Sequence, residues 1–170
     1  RNVLLGDMGA IRLTPAGDRI EIVSTDIEVG YDDVIDSGAG DDVIIGGTGT
    51  DTITGGAGND DILGDNGRLT YTNGALTEIA TSDPTVGATD DLEGGEGEDT
   101  IFGGVGVDQI SGGPDRNILI GDQGRIAFAE SGERIQVATT FNTIGANDAI
   151  TSGAGDDVII GGFGADVISG

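Results

Sequence analysis

The chain has 170 residues and a formal net charge of −24, from 31 acidic and only 7 basic side chains, and 34 of its residues are glycine. Such a charge repels nucleic acids and anionic membrane surfaces and suits a chain that collects cations. There is no cysteine or histidine, which excludes disulfides, thiolate metal sites and a histidine general base, and no apolar run approaches the ~20 residues of a transmembrane segment. An acidic disordered linker would share this composition, but the order of the residues argues against it.

The first long predicted element is an insert at residues 6–27 that has the pattern of a β-hairpin. Ile11 and Leu13 alternate with polar residues, a turn follows at 14–18, and the alternation resumes at Ile20. Alternation on both sides of a turn is typical of two antiparallel strands. Two further inserts of this kind lie at 64–84 and 121–142.

After the first insert, a nine-residue pattern begins. Residues 37–45, 46–54 and 55–63 read SGAGDDVII, GGTGTDTIT and GGAGNDDIL. Four further copies follow at 94–102, 103–111, 152–160 and 161–169. All seven fit the pattern Gly-Gly-x-Gly-x-Asp-x-aliphatic-x with at most one substitution at its first position, and a repeat kept in frame this often is the signature of a solenoid.

Each nonapeptide predicts a turn followed by a strand. Glycine permits the positive φ angles of a tight six-residue turn, while the aspartate at position six and the backbone carbonyls offer hard oxygen ligands that suit Ca²⁺. The last three residues form a short strand with its middle side chain pointing inward. These inward residues are Ile44, Ile53, Ile62, Ile101, Ile110, Ile159 and Ile168. Two nonapeptides make one coil, so stacked coils predict two parallel sheets with calcium rows along both edges.

The nonapeptides resemble the repeats-in-toxin (RTX, hemolysin-type) calcium-binding repeats of secreted bacterial proteins. The resemblance implies an all-β fold, a parallel β-roll or β-helix solenoid that binds several Ca²⁺ ions, each between turns one coil apart. Asp51 would then share a site with Asp33, and Asp60 with Asp42. The metal ligands expected on this basis, together with backbone carbonyls, are Asp33, Asp42, Asp51, Asp60, Asp90, Asp99, Asp108, Asp148, Asp157 and Asp166. The alternative is that these aspartates only cap turns.

Some nonapeptides depart from the consensus. Those at 28–36, 85–93 and 143–151 keep the inward aliphatic residue and the position-six aspartate but lose the glycines at positions one, two and four. At 112–120, Asn117 replaces the aspartate. Asparagine is a neutral oxygen donor, so we expect a weaker or altered calcium site there, and weaker sites in the irregular nonapeptides as well.

A longer repeat overlies the nonapeptides. Gly6, Gly64 and Gly121 begin equivalent segments and follow one another at nearly equal spacing along the chain. The chain therefore divides into modules 1–60, 61–117 and 118–170, the last incomplete. A full module combines four nonapeptides, or two coils, with one hairpin insert.

The modules predict a third layer. An even number of nonapeptides separates the inserts, so every hairpin leaves the same side of the roll. Position nine is apolar in alternate nonapeptides, which gives one sheet an outward apolar row of Leu5, Ile45, Leu63, Phe102, Ile120 and Ile160. An exposed apolar row favours a covering layer. We expect the hairpins to pair edge to edge and cover it; the alternative is that another chain packs there.

The function expected from the sequence is structural. A chain that folds on calcium suits export into a calcium-rich extracellular space, as the RTX resemblance also implies. The leading hypothesis is a calcium-binding segment of a long secreted bacterial repeat protein, such as an adhesin stalk or a surface-layer, matrix or fibre component. Its partners would be calcium ions, neighbouring repeats of the same chain, further copies and cell-surface or matrix molecules. The alternative is the repeat region of a secreted toxin or enzyme whose catalytic domain lies elsewhere.

No catalytic role is expected of these residues. Adjacent acidic pairs such as Asp41-Asp42 and Asp156-Asp157 could in principle perform glycoside hydrolysis. The pairs recur with the repeat, however, whereas an active site is usually unique. We therefore interpret them as part of the repeating turns.

Overall fold

The computed structural model describes residues 1–170, and all of its regular structure is β-strand. The strands are β1 (Val3–Leu5), β2 (Gly9–Leu13), β3 (Arg19–Ser24), β4 (Val34–Asp36), β5 (Val43–Ile45), β6 (Thr52–Ala57), β7 (Asp61–Leu63), β8 (Gly67–Thr72), β9 (Ala75–Thr81), β10 (Asp91–Glu96), β11 (Thr100–Phe102), β12 (Gln109–Ser111), β13 (Ile118–Ile120), β14 (Gly124–Phe128), β15 (Arg134–Thr139), β16 (Ala149–Thr151), β17 (Val158–Ile160) and β18 (Val167–Ser169). Because none of this structure is helical, the chain has no candidate membrane-spanning helix.

The nonapeptides form two parallel six-stranded sheets. Roll sheet 1 has the order β1-β5-β7-β11-β13-β17, and roll sheet 2 has the order β4-β6-β10-β12-β16-β18. Successive nonapeptides alternate between the two sheets, and equivalent residues pair in register, as Ile44 does with Ile62. The predicted all-β fold with a parallel β-roll is confirmed.

The inward aliphatic residues build the core between the two roll sheets. Nine of them form one buried cluster: Ile35, Ile44, Ile53, Ile62, Leu92, Ile101, Ile110, Leu119 and Ile150. The cluster is only one side chain deep on each sheet, because each short strand directs a single residue inward. Such a thin core makes the turns between the sheets important for stability.

Glycine is required where the turns reverse the chain. Gly47 and Gly49, at positions two and four of one consensus turn, have φ angles of 115° and 137°. Residues with a β-carbon rarely adopt this left-handed region, whereas glycine does so at little cost. The glycine spacing of the nonapeptide therefore follows directly from the backbone path.

The three inserts form a third, antiparallel sheet, the hairpin sheet, with the order β2-β3-β8-β9-β14-β15. The middle hairpin turns at Asn73 and Gly74, both with positive φ, as a two-residue hairpin turn requires. Neighbouring hairpins also pair with each other: Ile22 lies opposite Leu69, and Ile79 lies opposite Ile126.

The hairpin sheet packs against roll sheet 1. Its inward residues Ile22, Leu69, Ile79 and Ile126 share one buried cluster with residues of the roll. The roll contributes Val43, Ile45, Leu63, Phe102, Ile118 and Ile120. The apolar position-nine residues of roll sheet 1 thus lie against hairpins of the same chain. The outward face of roll sheet 2 carries polar residues such as Thr52 and Thr54.

Candidate metal sites at the two edges of the roll

The turns lie along two edges of the roll. Edge 1 consists of the turns that run from roll sheet 1 to roll sheet 2: 46–51, 103–108 and 161–166, and the hairpin-bearing turns 6–33, 64–90 and 121–148. Edge 2 consists of the turns that run back from roll sheet 2 to roll sheet 1: 37–42, 55–60, 94–99, 112–117 and 152–157. Every hairpin therefore leaves the roll from edge 1.

The position-six residues form a ladder along each edge. The Asp33 backbone N–H donates to Asp51 Oδ1 at 2.8 Å, and the Asp42 N–H donates to Asp60 Oδ1 at 2.8 Å. The structure thus brings together the pairs that the RTX resemblance implied. The ladder of edge 1 is Asp33, Asp51, Asp90, Asp108, Asp148 and Asp166. The ladder of edge 2 is Asn2, Asp42, Asp60, Asp99, Asn117 and Asp157.

Along most of each ladder only one carboxylate oxygen accepts a hydrogen bond; Asp42 is an exception, because its Oδ2 accepts Asn2 Nδ2 at 3.3 Å. The other oxygen, Oδ2, is buried without a hydrogen-bond partner at Asp51, Asp60, Asp90, Asp99, Asp108 and Asp148. A buried carboxylate oxygen that lacks a partner is costly. A proton or a bound cation at each of these six atoms would offset that cost.

A carbonyl oxygen converges on the same place. At Gly55, position one of its turn, an added methyl group would lie 2.6 Å from Asp60 Oδ2 and 2.6 Å from Gly94 O. Two oxygens thus lie beside the position-one glycine: the position-six Oδ2 of the same turn and the position-one carbonyl oxygen of the next coil. We call this arrangement a cradle. Cradles of the same composition lie beside Gly6, Gly46, Gly64, Gly94, Gly103 and Gly121.

The donors of a cradle fit Ca²⁺. No three acidic side chains converge in the structure, so carboxylates alone do not form a metal site. Each cradle instead combines a carboxylate oxygen with a backbone carbonyl, and both are the hard oxygen ligands that Ca²⁺ prefers. A bound Ca²⁺ would supply the positive charge that the buried Oδ2 atoms lack.

Burial changes the acidity of the ladder. It raises the pKa of Asp90 and Asp108 to about 8, that of Asp99 to about 7, and that of Asp51 and Asp148 to about 6. Neighbouring carboxylates of the same ladder add to the rise, as Asp90 does for Asp108. Because both causes disfavour negative charge, they act against the metal-free fold at neutral pH.

The hairpin-bearing turns have a position-one glycine that lies outside their own nonapeptide. The nonapeptide at 28–36 has no glycine at position one, but Gly6, which precedes the hairpin, takes that place. A methyl group on Gly6 would lie 2.5 Å from Asp33 Oδ2 and 2.5 Å from Gly46 O. Gly64 and Gly121 do the same for Asp90 and Asp148. The hairpin is therefore inserted within a turn, and the cradle is assembled from both sides of the insert.

A second aspartate in each hairpin-bearing turn was not predicted from the sequence. Asp65, directly after Gly64, is buried, and its carboxylate accepts hydrogen bonds from Ala88 N at 3.1 Å and from Val105 N. It thereby fastens the turn that follows the hairpin to the next turn of edge 1. Burial, followed by the charge of Asp90, raises its pKa to about 9.

Asp7 and Asp122 make the equivalent contacts at the other two hairpins: Asp7 accepts from Tyr31 N and Thr48 N, and Asp122 from Ala146 N and Phe163 N. The recurring Gly-Asp pair at the start of each insert was the available signal. It could not reveal this role, because the amides that the carboxylate binds lie far along the chain, as the 23-residue separation of Asp65 and Ala88 illustrates.

Comparison with known families agrees with this geometry. A family model described as the RTX calcium-binding nonapeptide repeat matches the chain in four copies, at residues 30–53, 36–68, 86–125 and 143–170. Together these ranges cover more than half of the chain, and the segments that they leave out fall mainly on the hairpins. No curated protein and no solved structure matches the chain.

Proposed function

Because the chain belongs to the RTX calcium-binding nonapeptide repeat family, we propose that it is a calcium-folded structural segment of a long secreted bacterial repeat protein. Repeats of this family bind Ca²⁺, and the proteins that contain them are typically secreted by bacteria. The observation that carries the proposal is the row of buried Oδ2 atoms without partners, which recurs from turn to turn along both edges.

The proposed ligands are the position-six carboxylates with the position-one carbonyls. On edge 1 these carboxylates belong to Asp33, Asp51, Asp90, Asp108, Asp148 and Asp166; on edge 2 they belong to Asp42, Asp60, Asp99 and Asp157. The inclusion of Asp33, Asp90 and Asp148 is supported by the cradles beside Gly6, Gly64 and Gly121, which contain the same donors as those of the consensus turns.

Calcium would then contribute much of the folding free energy. The core between the roll sheets is thin, and the conformational entropy lost on folding is about 1–2 kcal/mol per residue for the backbone alone. The strands of the hairpin sheet and their turns carry five arginines and five acidic residues, so the net charge of −24 lies on the rest of the chain. Binding free energy becomes folding free energy when the unfolded chain lacks the site.

The repetition supports a scaffold role. The modules 1–60, 61–117 and 118–170, the last incomplete, are proposed as copies of one repeating unit, which in full gives two coils and a hairpin. A solenoid built from such units can be extended by adding modules, since each contacts chiefly its neighbours. This property suits an adhesin stalk or a surface-layer, matrix or fibre component.

The second candidate, the repeat region of a secreted toxin or enzyme, rests on the consensus nonapeptides that both kinds of protein would share. The two candidates differ in what surrounds the segment in the parent protein. Further modules of the same length and pattern would support the scaffold, whereas a catalytic domain would support the second candidate.

The calcium proposal is tested by titrating Ca²⁺ into the chelator-treated chain. Circular dichroism should show largely disordered chain in chelator and a gain of β structure as millimolar Ca²⁺ is added. Equilibrium dialysis should show several bound ions per chain at saturation. A chain that binds no Ca²⁺, or has the same β content in chelator, would refute the proposal.

A further inference from the structure

Asn117 has a different environment from the aspartates of its ladder. Its Oδ1 accepts the Asp99 N–H at 2.9 Å, as the carboxylates do in the other turns. Its Nδ2 takes the place of the Oδ2 atom and donates to the Asp115 carbonyl of the same turn at 2.7 Å. The turn at 112–117 therefore has no unpartnered buried oxygen at position six.

The hydrogen bonds define the orientation of this amide. If its oxygen and nitrogen were exchanged, the NH₂ group would face the Asp99 N–H, and the oxygen would face the Asp115 carbonyl. Both contacts would then be repulsive, since two donors or two acceptors would meet. The group that faces Gly112 is consequently a hydrogen-bond donor, with Nδ2 within 2.8 Å of the position that a methyl group on Gly112 would take.

The neighbouring residue adds positive charge to the same turn. Arg116 Nη2 lies 2.7 Å from Glu98 Oε2 of the preceding edge 2 turn. A cationic side chain thus links two successive turns next to the position where a carboxylate is replaced by an amide. The pair is exposed, so its contribution to stability is small, but it adds a positive charge where a bound ion would otherwise do so.

Ser37 provides a second, independent case on edge 2. It occupies position one, where the cradles have glycine, and its hydroxyl donates to Gly55 O at 2.6 Å. That carbonyl is the position-one carbonyl of the next coil, the kind of oxygen that bounds a cradle elsewhere. Here a serine hydroxyl donates to the carbonyl, whereas the cradles have a glycine at this position and no such donor.

We propose that the turns at Asn117 and Ser37 are metal-free closures, in which a side-chain donor replaces the cation that the other turns bind. This inference removes Asp42, the position-six residue of the Ser37 turn, from the calcium ligands proposed above; its Oδ2 instead accepts Asn2 Nδ2. The calcium row would then be continuous on edge 1, where five successive cradles lack such a side-chain donor, and it would be interrupted on edge 2. The five open cradles lie beside Gly6, Gly46, Gly64, Gly103 and Gly121. This inference rests on the proposed calcium function, but it concerns which turns take part.

The test is the number of Ca²⁺ ions per chain at saturation, measured by native mass spectrometry and by equilibrium dialysis. Asn117→Asp restores a carboxylate and should bind one more ion than the wild type. Asn59→Asp is the matched control: it makes the same change of charge at position five of the same edge, where Asn59 Oδ1 accepts the Glu98 N–H. The control should leave the number of ions unchanged.

Two more variants give results even if Asn117→Asp fails to fold. Asn117→Ala removes the amide, and it should keep the ion number of the wild type but unfold at a lower temperature in saturating Ca²⁺. Ser37→Gly opens a cradle and should gain one ion. The inference would be overturned if Asn117→Ala lost an ion, or if neither Asn117→Asp nor Ser37→Gly gained one. In both cases, Ca²⁺ binding by the wild type would still uphold the calcium function. A wild-type chain that binds no Ca²⁺ would refute the proposed function itself.

Discussion

The two edges of the roll are built from the same nonapeptide but differ in composition. Edge 1 has aspartate at position six of all six turns, glycine at position one of each, and a second aspartate in every hairpin-bearing turn. Edge 2 has asparagine at residues 2 and 117 and serine at position one in two turns. The edge whose ladder consists only of aspartates is the one that carries the hairpins.

The difference has a physical reason. A hairpin inserted in a turn lengthens the loop that must close, which costs entropy. Edge 1 offsets this cost with a complete cradle assembled across each insert and with the aspartate that fastens the neighbouring turn. Edge 2 has only short, uninterrupted turns, and those of Asn117 and Ser37 have a side-chain hydrogen bond where the other turns have a cradle. In this proposal, one repeat serves both as a metal site and as a turn whose side chains satisfy its own polar groups.

Among the tests of this difference between the edges, removal of calcium should have the largest effect on the fold. Chelation should abolish the cooperative fold, because four of the five cradles of edge 1 would leave a buried carboxylate oxygen without a partner. We expect loss of the β-sheet signal in circular dichroism and fast hydrogen exchange at the Asp51, Asp90 and Asp108 amides. Mg²⁺ at equal concentration is the control and should not restore the fold, since it demands a smaller, octahedral site. Protected edge 1 amides in chelator would contradict the comparison.

Closing one cradle of edge 1 should have the next largest effect. Gly64→Ser copies the serine of edge 2 into a hairpin-bearing turn, where its β-carbon would meet Asp90 Oδ2 and Gly103 O closer than 3.0 Å. We expect one ion fewer and a Ca²⁺ midpoint of folding raised several-fold. Ala39→Ser, at an exposed turn position outside any cradle, is the control. An unchanged ion number in Gly64→Ser would show that the cradle is not the site.

The second aspartate of the hairpin-bearing turns can be tested separately from calcium. Asp65→Ala leaves the Ala88 and Val105 amides without their acceptor, and losing such part-buried hydrogen bonds costs about 1 kcal/mol each. We expect a lower unfolding temperature in saturating Ca²⁺ and faster exchange of the Ala88 amide. Asp156→Ala, at an exposed edge 2 position, should change neither. If both substitutions lowered the unfolding temperature equally, the second aspartate would not distinguish edge 1 from edge 2.

The pH dependence of calcium binding should show the smallest and most gradual effect. Burial raises the pKa of Asp90 and Asp108 from the ordinary value of 3.8 to about 8 in the metal-free fold. Protons therefore stabilise that fold below pH 4, and this stabilisation is lost as the pH rises through about 8. Calcium must displace these protons, so its affinity should increase from pH 6 to pH 8.

Calorimetry in buffers of different ionisation enthalpy should detect the released protons. The control is Asp90→Asn, which lacks one of these carboxyl groups and should release fewer protons per chain. A calcium affinity that stays constant between pH 6 and pH 8 would contradict the raised pKa values.

The sequence alone was sufficient for the repeating architecture. Local periodicity sets which residue of each nonapeptide points inward, so Ile44 and its equivalents were predicted, as were the parallel sheets and the RTX family. The position-six aspartates were also identified this way, because each aspartate belongs to the same six residues as its turn. Their occupation by calcium stays a prediction.

Only the tertiary structure shows how separate parts of the chain combine. Gly6 completes the turn of Asp33 from the other side of a hairpin, and Asp65 binds amides in two later turns. Such contacts depend on how coils stack, which no local pattern encodes. The direction of the Asn117 amide likewise depends on the Asp99 N–H of the preceding coil. The sequence determined what each repeat contains, whereas stacking decided which turns leave a carboxylate oxygen open and which satisfy their own polar groups.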